Sequence, residues 1–218
     1  MTATRSDIQP LAADFTAAHP KLDQGEQRVA LAALRLLGGG RPFADRELAE
    51  RTDRPLDDVA GQLDSWMVQR DQQERVVALA GLTLEPTRHS LEVDGRTLYA
   101  WCALDTLFLP ELLGRPARVR STCPETGETI SLAVGVEGVR DLEPPGAVMT
   151  LHDVAGFDLQ DVVETFCCYV NFFASEEAAR TWAERSEGSY VVSIADGFEY
   201  GRLYNHGQFG AALDSDRG

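Results

Sequence analysis

From Gln24 the chain becomes periodic. Val29, Leu31, Leu34, Leu36 and Leu37 fall broadly on one stripe at helical spacing, and Gly38-Gly39-Gly40 ends the run as glycines past a helix C-terminus do. Asp45 can cap a short second helix carrying Leu48 and Ala49, which Thr52-Asp53-Arg54-Pro55 breaks. A third helical run, Asp57 to Met67, places Val59, Leu63, Trp66 and Met67 on one side. The apolar stretch Val76 to Leu84 follows, with Gly81 inside it. Helix, short helix, turn, helix and extended run is the order of a small winged helix-turn-helix module. The residues up to about Asp23 mix proline, alanine and charge without period, which predicts a frayed arm or a loosely docked helix.

After Pro86 the period drops to two. Ser90 to Tyr99 alternates around Asp94-Gly95, a strong two-residue hairpin signal, and Ala117 to Ser121 with Thr129 to Val134 alternate around Pro124-Glu-Thr-Gly127 as a second hairpin. Further strands are expected at Ala147 to Leu151, Phe166 to Phe173 and Tyr190 to Ile194, and Ser175 caps a helix running to Glu184. The expected fold class is α+β: a winged-helix-like helical domain over 24–85, then a mixed, mainly antiparallel sheet with flanking helices over 86–218, with 1–23 an arm or helix outside both. There is no internal repeat or low-complexity segment.

Composition narrows the function classes. The 218 residues carry 35 acidic and 20 basic side chains, a formal net charge of −15, so a nonspecific phosphate-backbone or anionic-membrane surface is disfavoured. Locally, the third helix offers Asp57, Asp58 and Asp64 and no cation where a recognition helix would meet phosphate, which favours a packing module over a DNA reader. Lys21 is the sole lysine, which removes most Schiff-base and phosphate-lysine chemistry. No stretch approaches the ~20 apolar residues of a membrane span, and the opening residues lack the basic start and apolar run of a secretory signal, so a cytoplasmic location is expected.

The four cysteines, Cys102, Cys123, Cys167 and Cys168, are too few and too unevenly spaced for a disulfide framework, and neither Cys-x-x-Cys nor a zinc-type pairing with His19, His89, His152 or His206 occurs. Cys102 falls at or near the start of a helix, where the local dipole favours a thiolate, and Asp105 lies one turn on along the same face. A thiol beside a carboxyl suits metal binding or a nucleophile with an adjacent proton carrier, although a cysteine in an apolar turn is also an ordinary core residue. In a strand over Phe166–Phe173, Phe166, Cys168, Val170 and Phe172 would share an apolar core face. Cys167 would share the other with Tyr169 and Asn171, making Cys167 the working thiol and Cys168 a structural one. Cys123, at the mouth of the second hairpin, reads as a packing or turn residue, or as a third thiolate of a zinc site. The three-glycine run lacks the Gly-Lys-Ser/Thr ending of a phosphate loop.

Several of these segments carry a family resemblance. Leu98-Tyr-Ala-Trp-Cys-Ala-Leu-Asp-Thr-Leu107, Gly114-Arg-Pro-Ala-Arg-Val119, Cys123 with Thr126-Gly127 behind it, and Phe166-Cys-Cys with Phe172-Phe-Ala-Ser175 together resemble the organomercurial (alkylmercury) lyases. The similarity runs from roughly Gly81 to Ala195, and in the amino-terminal part it is mainly one of layout, that family carrying a winged-helix-like module not known for reading DNA. The resemblance implies protonolysis of a carbon–mercury bond to a hydrocarbon and mercuric ion. It implies Cys102 and Cys167 as mercury-binding thiols, Asp105 as the proton carrier and a further mercury contact, and a structural role for Cys123. No organic cofactor is implied; Hg(II) is held as product, exogenous thiols carry it off, and a mercuric reductase is a possible recipient. Tyr169 and Asn171 stand where familiar members look histidine-bearing, and the tail after Ile194 is only loosely similar, which bears on pocket shape and substrate preference. The alternatives are a thiolate metal-binding protein, sensor or chaperone, and a relative acting on another small molecule.

Overall fold

The computed structural model describes residues 5–66 and 68–215. Helix α1 (Arg5–Ala17) precedes α2 (Gln24–Leu37), α3 (Asp45–Thr52) and α4 (Leu56–Ser65). Asp23 opens α2 with a full capping box: its carboxylate accepts the Glu26 N–H while the Glu26 side chain accepts its own. The expected third helix ends at Ser65, one residue before Trp66; Met67 lies outside the described residues.

Strands β1 (Val68–Arg70), β2 (Val76–Leu79) and β3 (Leu82–Thr83) lead into β4 (His89–Val93) and β5 (Arg96–Ala100), and helix α5 (Ala103–Leu113) follows. Strands β6 (Ala117–Thr122), β7 (Thr129–Gly135) and β8 (Gly138–Glu143) complete an antiparallel sheet in the order β1-β2-β3-β5-β4-β6-β7-β8. The strands after the three helices therefore pair onward into this sheet, through Leu82 with Ala100 and Thr83 with Tyr99. Both expected hairpins are present, with Val93 opposite Arg96 and Thr122 opposite Thr129 at their closed ends.

A second, three-stranded sheet is ordered β10-β9-β11, from β9 (Val148–His152), β10 (Phe172–Phe173) and β11 (Ser189–Ser193). Between β9 and β10 lies the one-turn α6 (Val162–Thr165); α7 (Glu176–Ala183) precedes β11, capped by Ser175 as expected, with its hydroxyl accepting the Ala178 N–H. Helix α8 (Ile194–Ser215) closes the chain and packs against α1, α2 and α5. The architecture is mixed α+β with mainly antiparallel sheets and flanking helices.

One open expectation is decided and another is corrected. The opening segment is a docked helix: Ile8, Ala12 and Phe15 are buried, Phe15 stacking on Phe166 with ring centroids 4.7 Å apart. Of the two readings, arm or docked helix, the second is the one found. The expected strand over Phe166–Phe173 instead contains a 3-10 turn, Cys167–Tyr169, and only Phe172 and Phe173 pair in a sheet. The face argument built on that strand fails with it, since a turn does not alternate its side chains between two faces. Cys168, expected in the core, is exposed, and its thiol donates to the Glu164 carbonyl at 3.1 Å.

Candidate functional site

The site is built where β5 gives way to α5. Cys102 is the N-cap of α5, with extended backbone (φ −143°, ψ 174°), and Asp105 is the third residue of the helix. The two satisfy each other's exposed amides: Cys102 Sγ accepts the Asp105 N–H, and Asp105 Oδ2 accepts the Cys102 N–H at 2.8 Å. A thiol and a carboxyl are thus held side by side by the same bonds that start the helix. The third member arrives from far along the chain on the 3-10 turn at Cys167, which the Ala103 N–H joins to α5 by donating to the Val170 carbonyl at 3.1 Å.

Cys102, Asp105 and Cys167 present ligand atoms that all lie within 4.8 Å of one another. They are 0%, 6% and 5% exposed, respectively. Cys123 is not part of this group. It is buried at the Cys123–Gly127 turn, where its carbonyl accepts the Gly127 N–H at 2.9 Å, which replaces the reading of a third zinc thiolate with that of a turn residue.

Burial dominates the electrostatics. It pushes the Cys102 thiol well above the ordinary range, with a hydrogen bond to Cys167 and the Asp105 charge acting the same way. The favourable effect of the helix start, expected to make Cys102 a ready thiolate, is outweighed because the sulfur has no access to water. Cys167 receives the thiol hydrogen bond, which favours its thiolate, but burial and the Asp105 charge leave its pKa raised as well. Burial raises Asp105 to about 7, against the hydrogen bonds from Cys102 and Trp101 that favour its carboxylate. The trio at neutral pH is two protonated thiols beside a carboxyl poised between its two forms.

Asp105 and Cys167 open onto a cavity of about 110 Å³ with a predominantly apolar lining. Its size is of the order of the apolar cavities of roughly 150 Å³ that accept a benzene-sized molecule. Its walls bring together Phe15 of α1, Leu34 of α2, Trp66 beyond α4, Phe108 of α5, Phe166 and, from α8, Tyr204. Sequence reading did not anticipate the contributions of α1 and α8. Phe15 and Tyr204 carry no motif, and only packing brings them to the cavity that Asp105 and Cys167 line.

Asn171 and Tyr169, read as companions of Cys167 on one strand face, take separate roles. Asn171 is buried, its side-chain amide donating to the Cys168 carbonyl at 2.9 Å, and so braces the turn that presents Cys167. Tyr169 stacks on His152 with ring centroids 4.2 Å apart.

A family model described as alkylmercury lyase matches residues 82–205. An alkylmercury lyase of Bacillus cereus is 43% identical over 171 residues, covering 78% of this chain and 77% of the relative. The chain belongs to the alkylmercury lyase family. Another alkylmercury lyase, of Pseudomonas putida, is 40% identical over 174 residues, 79% of this chain and 81% of its own length. Among solved structures this alkylmercury lyase family member shares its fold with the mercury-bound form of MerB2, with a TM-score of 0.75 and 21% identity over 93% of this chain and 99% of that one. The family match extends beyond the similarity visible in the motifs and takes in the first half of α8, the helix that supplies Tyr204 to the cavity.

Proposed function

We propose that the chain is an organomercurial lyase that cleaves the carbon–mercury bond of alkyl or aryl mercury compounds by protonolysis, with Cys102, Cys167 and Asp105 as its working groups. One observation carries the assignment of roles: two thiols and a carboxyl converge within 4.8 Å at the wall of an apolar cavity. Soft thiolates are the ligands mercury prefers, an apolar pocket suits the organic group, and a carboxyl beside both can move a proton.

The steps balance without any change of oxidation state. Cys167, at the cavity wall, displaces the anion X of R–Hg–X, its proton leaving as HX. Cys102 then transfers its thiol proton to the Asp105 carboxylate as its sulfur bonds to mercury. Asp105 delivers that proton to carbon, the electron pair of the Hg–C bond leaves with it as R–H, and the carboxylate is regenerated. Mercury remains between the two sulfurs as product. Two small thiols return the protons to the cysteines and remove Hg(II) as its dithiolate, for hand-off to a mercury-reducing partner. The reaction calls on no organic cofactor. Residues 24–85 act in this reading as a winged-helix-like wall of the pocket, with 86–218 as the catalytic unit. No helix among the described residues is long and apolar enough to cross a membrane.

The test is turnover of phenylmercuric acetate and a methylmercury salt with excess thiol, following benzene and methane. Hydrocarbon release by the wild type should collapse in Cys102→Ser, Cys167→Ser and Asp105→Ala. Tight binding with no hydrocarbon would instead mark a thiolate mercury-binding protein or a relative with another substrate.

A further inference from the structure

The turn between β2 and β3 closes on Ala80 and Gly81, both with positive φ (47° and 88°), the backbone signature of a type I′ hairpin turn. This turn reaches the catalytic region. The Gly81 carbonyl accepts the Trp101 N–H at 3.0 Å, and Gly81 lines the same cavity as Asp105 and Cys167. A Cβ on Gly81 would stand 2.5 Å from Asp105 Oδ1 and 2.6 Å from its Cγ, far inside any tolerable contact. The carboxyl has little freedom to withdraw, because Oδ2 is tied to the Cys102 N–H at 2.8 Å and the side chain is 6% exposed. One oxygen is therefore held by the helix start, and the other packs on the bare Cα of a residue from the opposite hairpin.

We propose that Gly81 is a positioning residue for the reaction: the side chain it lacks is the space in which the Asp105 carboxyl lies beside the two thiols. The proposal rests on the reading of Asp105 as the proton carrier. A glycine here serves the turn as well, but the turn alone does not account for the geometry. Gly95, in the β4–β5 turn, has the same left-handed backbone (φ 74°), and a Cβ there would meet nothing within 4 Å. The two glycines share one conformational requirement, and Gly81 alone carries the packing one.

Gly95→Ala is therefore the control for Gly81→Ala in the full-length protein, since both introduce the same backbone strain. Gly81→Ala is expected to lower kcat for phenylmercuric acetate by about 100-fold, the effect of moving a reacting group by about 1 Å, with KM little changed, while Gly95→Ala keeps its kcat. Wild-type kcat in folded Gly81→Ala would overturn the proposal.

A thermal-denaturation cycle with Asp105→Ala reads the packing independently of catalysis. Gly81→Ala should lower Tm more than Gly95→Ala when Asp105 is present and by a similar amount when it is absent. If Gly81→Ala alone does not fold, recovery of the fold in the Gly81→Ala/Asp105→Ala double variant supports the proposal and failure to recover overturns it. A folded and fully active Asp105→Asn would remove the proton-carrier reading itself, which is distinct from a cycle that shows no coupling between residues 81 and 105.

Discussion

Asp105 is stabilised as a neutral acid at a cost the folded protein bears at working pH. Its pKa is raised from 3.8 to about 7 by burial. Below about pH 4 the group is protonated in the folded and unfolded states alike. Between there and pH 7 the unfolded chain releases a proton that the folded one keeps, so stability falls as pH rises, and above pH 7 the full cost, of the order of 4 kcal/mol, is in force. Asp105→Asn should accordingly raise Tm at pH 8 and change it little at pH 4; thermal melts at both values would reveal an equal effect, which would contradict this account. The same group sets the rate profile: if the Cys102 proton is taken up by the Asp105 carboxylate, kcat/KM should climb as pH rises through about 7, which a pH–rate series on the wild type measures directly. Cys168, exposed and turned to the Glu164 carbonyl, should be dispensable, and Cys168→Ser should retain hydrocarbon release.

At the scale of elements, the site is an intersection. Helix α5 brings Cys102 and Asp105 through its own capping bonds, the Cys167 turn is held by Asn171 and by the bond from Ala103 to Val170, and the β2–β3 hairpin lays Gly81 against the acid. Helices α1 and α8 close the apolar side. Phe15 is the pivot of that closure, stacked on Phe166 and packed against Tyr200 and Tyr204 with centroids 5.6 and 5.0 Å away. Phe15→Ala should cost roughly 3–5 kcal/mol of stability in chemical denaturation and open the wall beside the substrate's organic group. With a bulkier arylmercurial the variant should lose less activity than with methylmercury, since the added volume lies on the organic side of the cavity; the reverse order would detach Phe15 from the substrate pocket.

For the molecule as a whole, charge and topology point the same way. A chain with net charge −15, whose α4 exposes Asp57 and Asp58, has no electrostatic reason to approach a phosphate backbone, and a gel shift with promoter fragments at low salt should show no complex. Of the amino-terminal helices, α1 and α2 instead line the cavity, and the strands that follow α4 join a sheet that runs without a break from β1 to β8. Local order determined much of this in advance. The period of α2, the Asp94-Gly95 hairpin, the Ser175 cap and the pairing of Cys102 with Asp105 three residues on are interactions between near neighbours, so the sequence alone specifies them. The meeting of Cys102 with Cys167 was legible only through the family motifs, because no local rule relates residues so far apart. What the tertiary structure alone decided is whatever depends on burial and long-range packing: the turn in place of a strand at Cys167, the docking of α1, the contribution of α8, the contact of Gly81 with Asp105, and the raised pKa values of the trio. A helix start favours a thiolate in water, but only the folded protein determines whether water is there.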